Sequence, residues 1–271
     1  MRLIVIALLG LSLCLAAAAS AQVYIGGFLN GEVSGGVNPR DTCPVLDTCP
    51  PPEGSPGGLT TDGTYLWVAH YFGTARIYKI DPASCTVVHS IPAPGNSNAG
   101  LAWDGAYLWD VQEQEGRIYK LDPADGTILH VIPAPSFGEP DPNAAGLAWD
   151  GAYLWHADYG HQLIYKLDPV DGTILAIFEA PGPGPSGVGY YDGVLIISDF
   201  FTDMIYKVDP STGAVLASCP SPDTHPWDVE SPDGDTWNSG MVTNTLYFVQ
   251  TGTPPVAVRE ASWGRIKAIY R

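Results

Sequence analysis

The sequence predicts an all-β fold, a five-bladed β-propeller of four-stranded antiparallel blades whose last blade is completed by the N-terminal strand. Three observations carry that prediction. A ten-residue segment recurs at steps of about 40 to 46 residues, a second signature travels with it, and each unit divides into four short β-prone runs separated by turn signals.

The first segment reads Gly58-Leu59-Thr60-Thr61-Asp62-Gly63-Thr64-Tyr65-Leu66-Trp67, and it returns 42 residues later as Gly100-Leu101-Ala102-Trp103-Asp104-Gly105-Ala106-Tyr107-Leu108-Trp109. Further copies start at Gly146 and, in weaker form, at Gly187. The second signature is Ile77-Tyr78-Lys79-Ile80-Asp81-Pro82, repeated from Ile118, Ile164 and Ile205. Its lysines, Lys79, Lys120, Lys166 and Lys207, are four of the five in the chain, so the repeat itself places this cationic charge. In the second unit the runs are Leu101 to Trp103, Tyr107 to Val111, Arg117 to Leu121 and Thr127 to Ile132. Asp104-Gly105 and Asp125-Gly126 suit the positive φ angles of tight hairpin turns. Units of this size most often pack radially around a central axis.

Domain boundaries follow: 1–21 a signal peptide, 22–56 a closing strand with a Cys/Pro/Gly-rich segment, and 57–271 the propeller. The blades fall at about 57–95, 98–136, 144–182, 186–221, and 227–271 plus 22–26. In the fifth unit Asp228-Val229 lies at the expected step, yet Gly240 to Asn244 reads more like the start of a blade. Leu246 to Gln250 then reads as its second strand and Arg265 to Tyr270 as its third, with Lys267 in a degenerate copy of the lysine signature. Val23-Tyr24-Ile25 is the expected fourth strand, which closes the ring and removes exposed edges. Donated to a neighbouring molecule instead, the same strand would build a polymer.

Met1-Arg2, the apolar run from Leu3 to Ala18 and the small residues Ala19-Ser20-Ala21 form a secretory signal pattern, which predicts an extracellular or periplasmic protein. Cys43, Cys49, Cys85 and Cys219 follow it, an even set that predicts disulfides in an oxidising compartment. Cys85 and Cys219 sit on non-adjacent blades, too far apart to bond. Either Cys43 and Cys49 each tie the N-terminal segment to a blade, or they pair with each other. Twelve Lys and Arg against 29 Asp and Glu give a net charge of −17, which argues against nucleic acid and anionic membrane surfaces as partners.

Aligning the second strands places His70, Gln112, Asp158, Asp199 and Gln250 at one equivalent position, where they would ring the channel mouth. The alternative is that each caps its own turn. Asp158 and Asp199 offer carboxylates for calcium or magnesium, although no contiguous calcium loop is present. His156, which with His161 brackets an Asp-containing loop, and Trp227, which precedes the atypical blade, complete the candidate binding set. No nucleophile elbow, phosphate loop or dinucleotide fingerprint occurs, and no catalytic residue is assigned.

The repeats from Gly100 to Leu129 resemble those of secreted bacterial propellers of the NHL-like and streptogramin-lyase-like groups, and more distantly the five-bladed glutamine cyclotransferases. The resemblance spans about Gly58 to Ser218 and implies the fold. Asn98-Ala99-Gly100-Leu101 stands where the cyclotransferases carry Phe-Thr-Gln-Gly-Leu, so no catalytic set transfers. The expected function is a non-enzymatic extracellular binding or scaffold protein with a protein or glycan partner or a homo-oligomeric state, self-assembling through the N-terminal strand. The alternative is a metal-dependent lyase, lactonase or cyclotransferase acting at the mouth.

Overall fold

A computed structural model describes residues 43–135 and 143–251; the signal segment, Val23 to Ile25 and Arg265 to Tyr270 lie outside the described residues. The strands form five four-stranded antiparallel sheets. Blade 1 holds β2 (Pro56–Thr61), β3 (Leu66–His70), β4 (Arg76–Asp81) and β5 (Thr86–Pro92). Blade 2 holds β6 (Asn98–Trp103), β7 (Leu108–Gln112), β8 (Arg117–Leu121) and β9 (Ile128–Pro133). Blade 3 is β10 (Ala144–Trp149), β11 (Leu154–Asp158), β12 (Leu163–Leu167) and β13 (Ile174–Glu179), and blade 4 is β14 (Pro185–Tyr191), β15 (Val194–Asp199), β16 (Met204–Val208) and β17 (Val215–Pro220). Blade 5 is β18 (Pro226–Glu230), β19 (Thr236–Gly240), β20 (Thr245–Val249) and, outermost, β1 (Val45–Cys49). Each innermost strand contacts the next, and β18 meets β2 to close the ring.

One aspartate organises the first hairpin of each of blades 1 to 3. Asp104 Oδ1 accepts the amides of Ala106 and Tyr107 at 3.0 and 2.8 Å, while its Oδ2 accepts Trp109 Nε1 at 3.0 Å and pairs with Lys120 Nζ at 2.8 Å. The ammonium lies 4.6 Å from the Tyr107 ring centroid and 5.1 Å from that of Trp109. Asp62 with Lys79 and Asp150 with Lys166 repeat the arrangement at 2.8 Å. The Asp-Gly step therefore lies within a four-residue turn, since Trp103 pairs with Leu108, rather than the two-residue turn expected from sequence. Among the described first hairpins only that of blade 4 has the tight form, with Tyr191 paired to Val194 around Asp192-Gly193.

The innermost strands approach each other through backbone. A Cβ added at Gly100 would lie 2.7 Å from Leu147 N, and Gly58, Gly146 and Gly187 are equally confined. Register places Asp228 of blade 5 at this same position, and its carboxylate fills the axis. Oδ2 accepts the amides of Leu59 (2.7 Å) and Leu101 (3.4 Å), from blades 1 and 2, and Oδ1 accepts that of Val229 at 2.9 Å. Complete burial raises this carboxyl well above its ordinary value, against the pull of those three amides.

The fifth blade departs from the sequence expectation in register. β18 begins at Pro226, so Asp228-Val229 belongs to the innermost strand as the repeat step implied, and Gly240 ends the second strand. Leu246 to Val249 belongs to the third strand, the position expected of Arg265 to Tyr270. The N-terminal segment does complete the blade, but through Val45–Cys49 of the Cys/Pro/Gly-rich stretch, in the position expected of Val23-Tyr24-Ile25. Short, polar-interrupted Val-Leu-Asp-Thr-Cys carries too little alternation to stand out from its neighbours.

Two disulfides hold β1 in place. Cys43 bonds to Cys219 of blade 4 and Cys49 to Cys85 of blade 1, so each tethers the N-terminal segment to a blade. Blades 4 and 1 flank blade 5, and the closing strand is thereby fixed to both neighbours. Such bonds are consistent with an extracellular or periplasmic location.

Candidate binding surface at the channel mouth

The second strands of all five blades run toward one end of the molecule, and the loops that follow them surround the axis there. The residue immediately after each second strand is Tyr71, Glu113, Tyr159, Phe200 or Met241. Trp227 stands at their centre. Its equivalents in the other blades are the small residues Gly57, Ala99, Ala145 and Ser186, and the indole fills the space they leave. Trp227 Nε1 reaches across to donate to Ala99 O of blade 2 at 2.9 Å.

Around this hub the ring centroids of Tyr71, Phe200 and Tyr159 lie 4.6, 5.8 and 6.3 Å from that of Trp227. Met241 packs against the same core, and the His225 ring lies 4.4 Å from Phe200. Tyr71 donates its hydroxyl to the Glu113 carboxylate. Burial, then Glu113, raises the Tyr71 phenol far above its usual value, and burial, with Asp199 and Glu113, raises that of Tyr159, so both remain neutral. Beyond the hub, Phe72, Phe201 and Val242 are 57, 59 and 58% exposed, which makes the rim an outward-facing apolar surface.

The residues expected to ring the mouth sit one position earlier, and His70, Gln112, Asp158 and Asp199 are all fully buried. Each faces the loop entering its own blade or the turn above it. His70 Nδ1 contacts Gly54 O at 2.8 Å, and burial lowers its pKa. Gln112 Nε2 donates to Asn98 Oδ1 and, at 2.6 Å, to Asp110 Oδ2. Asp158 accepts His161 N at 3.0 Å and pairs with His161 Nδ1 at 3.0 Å. Asp199 accepts the amides of Gly184 (2.8 Å), Phe201 (3.1 Å) and Thr202 (2.8 Å). These are turn-capping and loop-anchoring contacts.

Gln250 leaves this set: it follows the third strand β20, is exposed, and Gly240 holds the equivalent position. There Asp223 reaches in from the preceding loop to accept Thr243 N at 3.1 Å and Thr243 Oγ1 at 3.0 Å, the cap that Asp199 makes to Thr202. His156 lies mid-strand between blades 2 and 3, with Nδ1 3.3 Å from Gly146 O, and burial pushes its pKa down to about 4. Asp158 and Asp199 belong to separate blades, and among the described residues no three His, Cys, Asp or Glu side chains converge as a metal cluster. Of the predicted residues, only Trp227 takes part in the mouth.

No family model matches the chain, and no curated protein matches it. Among solved structures it is similar to a glutaminyl cyclase from Myxococcus xanthus, at 16% identity and a TM-score of 0.61, covering 76% of this chain and 94% of that one. It is also similar to a chain of a nidogen/laminin complex, at 19% identity and a TM-score of 0.51, covering 70% and 74%. A virginiamycin B lyase from Staphylococcus aureus aligns at 17% identity, 74% and 68% coverage and a TM-score of 0.48. At 16 and 19% identity the likeness to the first two is one of fold alone.

Proposed function

We propose that this chain is a secreted, non-enzymatic binding propeller that engages a protein partner across its aromatic mouth. One observation carries the reading: the aromatic side chains converge on Trp227 and continue outward into exposed Phe72, Phe201 and Val242. Aromatic anchors inside a solvent-facing ring are what protein interfaces use for affinity. Trp227 and Tyr71 are only 6 and 8% exposed, so they nearly fill the axis and leave a broad platform suited to a macromolecule. Panning displayed peptides on the purified protein tests this. Selected binders should lose at least tenfold in affinity to a Phe72→Ser/Phe201→Ser variant, and binders indifferent to that variant would overturn the reading.

Glu113 favours a second reading, in which the mouth is catalytic. A carboxylate bonded to a tyrosine hydroxyl beside an apolar surface has the makings of a general base. The glutaminyl cyclase likeness supplies the reaction to try first. Release of ammonia from an N-terminal glutaminyl peptide, abolished by Glu113→Gln, would replace the binding reading with this one.

A further inference from the structure

We infer that the partner at the mouth is the C-terminal segment, residues 252–271, of a second copy of this chain, so that molecules associate head to tail. This rests on the mouth being the binding surface.

The first support is chemical, and the molecule supplies its own precedent. In blades 1 to 3 a cation is held by Tyr, Trp and a carboxylate: Lys79 Nζ lies 4.4 and 5.0 Å from the Tyr65 and Trp67 rings and 2.8 Å from Asp62. At the mouth the part-exposed Tyr159 and Glu113 lie over the buried Tyr71 and Trp227, with phenylalanines on the rim, so a tyrosine face and a carboxylate are again presented together. That combination recognises a cationic side chain with apolar flanks.

The second support is charge. Arg259, Arg265, Lys267 and Arg271 place four of the chain's twelve Lys and Arg in its last twenty residues, against one of its twenty-nine Asp and Glu, Glu260. Trp263, Ile266, Ile269 and Tyr270 are interleaved with them. A basic, aromatic segment thus follows an otherwise strongly acidic body, a complementarity that steers association.

The third support is topological. The ring is complete without this segment, because β1 occupies the outer position of blade 5 and β20 the third. Arg265-Ile266-Lys267-Ala268-Ile269 reads as a third-strand copy, and among the described residues β20 already holds the third position of blade 5. β20 also runs away from the mouth, and Thr251 bonds Thr236 Oγ1 at 2.8 Å and Gly234 O at 3.0 Å at the opposite end. The described chain therefore reaches residue 251 at the face opposite the mouth. A neighbour stacked beneath presents its mouth directly, whereas the chain's own mouth is reached only by passing back around a blade. Head-to-tail contacts of this kind do not close on themselves and extend into filaments.

Light scattering of the secreted full chain, with and without an Arg265→Glu/Lys267→Glu change, tests the inference, together with a synthetic peptide of residues 252–271. The expected result is a mass that rises with concentration and falls to monomer in the charge-reversed chain. The peptide should bind the charge-reversed chain, at least tenfold less tightly after Phe72→Ser/Phe201→Ser and severalfold less tightly after Glu113→Gln or in high salt. A full chain that stays monomeric at high concentration overturns the inference, as does association that survives charge reversal or peptide binding indifferent to the rim. Panning that yields rim-dependent binders while the peptide fails would sink this inference alone; rim-independent binders would sink the reading beneath it.

Discussion

Blades 1 to 3 and blades 4 and 5 are built from the same repeat, yet they do different work. In the first three, an Asp, a Trp and a Lys lock each hairpin identically, and nothing distinguishes one blade from the next on that face. Blade 4 has a turn two residues shorter, and Val194 and Ile196 stand where Tyr and Trp are found elsewhere. Lys207 has lost that aromatic bed; it donates to Gly234 O of blade 5 at 3.2 Å, and burial lowers its pKa. Blade 5 supplies what the regular blades lack: Asp228 on the axis, Trp227 at the mouth, and a closing strand from the other end of the chain. Regular repeats make a scaffold, and the irregular unit closes it and gives it a distinct end.

The comparison can be broken most severely at the closure. Replacing Cys43 and Cys219 with serine frees a separation of 176 residues, and chain entropy puts the loss at about 5 kcal/mol; the same change at Cys49 and Cys85, 36 apart, should cost about 4 kcal/mol. Denaturant unfolding of the two variants checks the order. If either is neutral, β1 does not hold the ring shut.

Converting Asp228 to Gly makes blade 5 like the others on the axis. Buried amides of Leu59 and Leu101 then lose their acceptor, at a cost of about 2–4 kcal/mol near pH 4. The sign of the pH dependence follows from the raised carboxyl. The folded state keeps a proton that the unfolded state gives up, so this group's contribution is full below pH 3.8 and declines as the pH rises toward the folded value. The gap between wild type and Asp228→Gly should therefore narrow from pH 4 to pH 8 in urea titrations; a widening gap would refute the assignment.

The smallest effect separates two lysines that sequence makes equivalent. Lys120→Met removes a 2.8 Å ion pair and two ring contacts and should cost about 1–2 kcal/mol. Lys207→Met removes the bond to Gly234 O and the attraction to Asp235 but also a desolvated ammonium, and should cost less than Lys120→Met, below about 1 kcal/mol. Equal shifts in melting temperature would show that the blades share one clamp after all.

The repeat was legible because its residues act locally. Asp62, Gly63, Trp67 and Lys79 lie within one hairpin and its neighbouring strand, so their spacing survives in the chain. The mouth was legible only in part. Trp227 is marked in the sequence by preceding an irregular blade, whereas His70, Gln112, Asp158 and Asp199 lie one residue before those that surround it. Successive strand residues face opposite ways, so one step separates a side chain buried between blades from one turned to the rim. Aligning Tyr71, Tyr159 and Phe200, each just past the second strand, would have found the aromatic ring.

By itself the sequence determined the blade, its fourfold strand order and the number of blades, because periodic apolar runs and Asp-Gly turns specify structure over short distances. Tertiary structure alone decided which segment closes the ring, which cysteines meet, and that Asp228 and Trp227 occupy the axis. Those outcomes depend on groups far apart in sequence brought together at a centre that no single repeat contains.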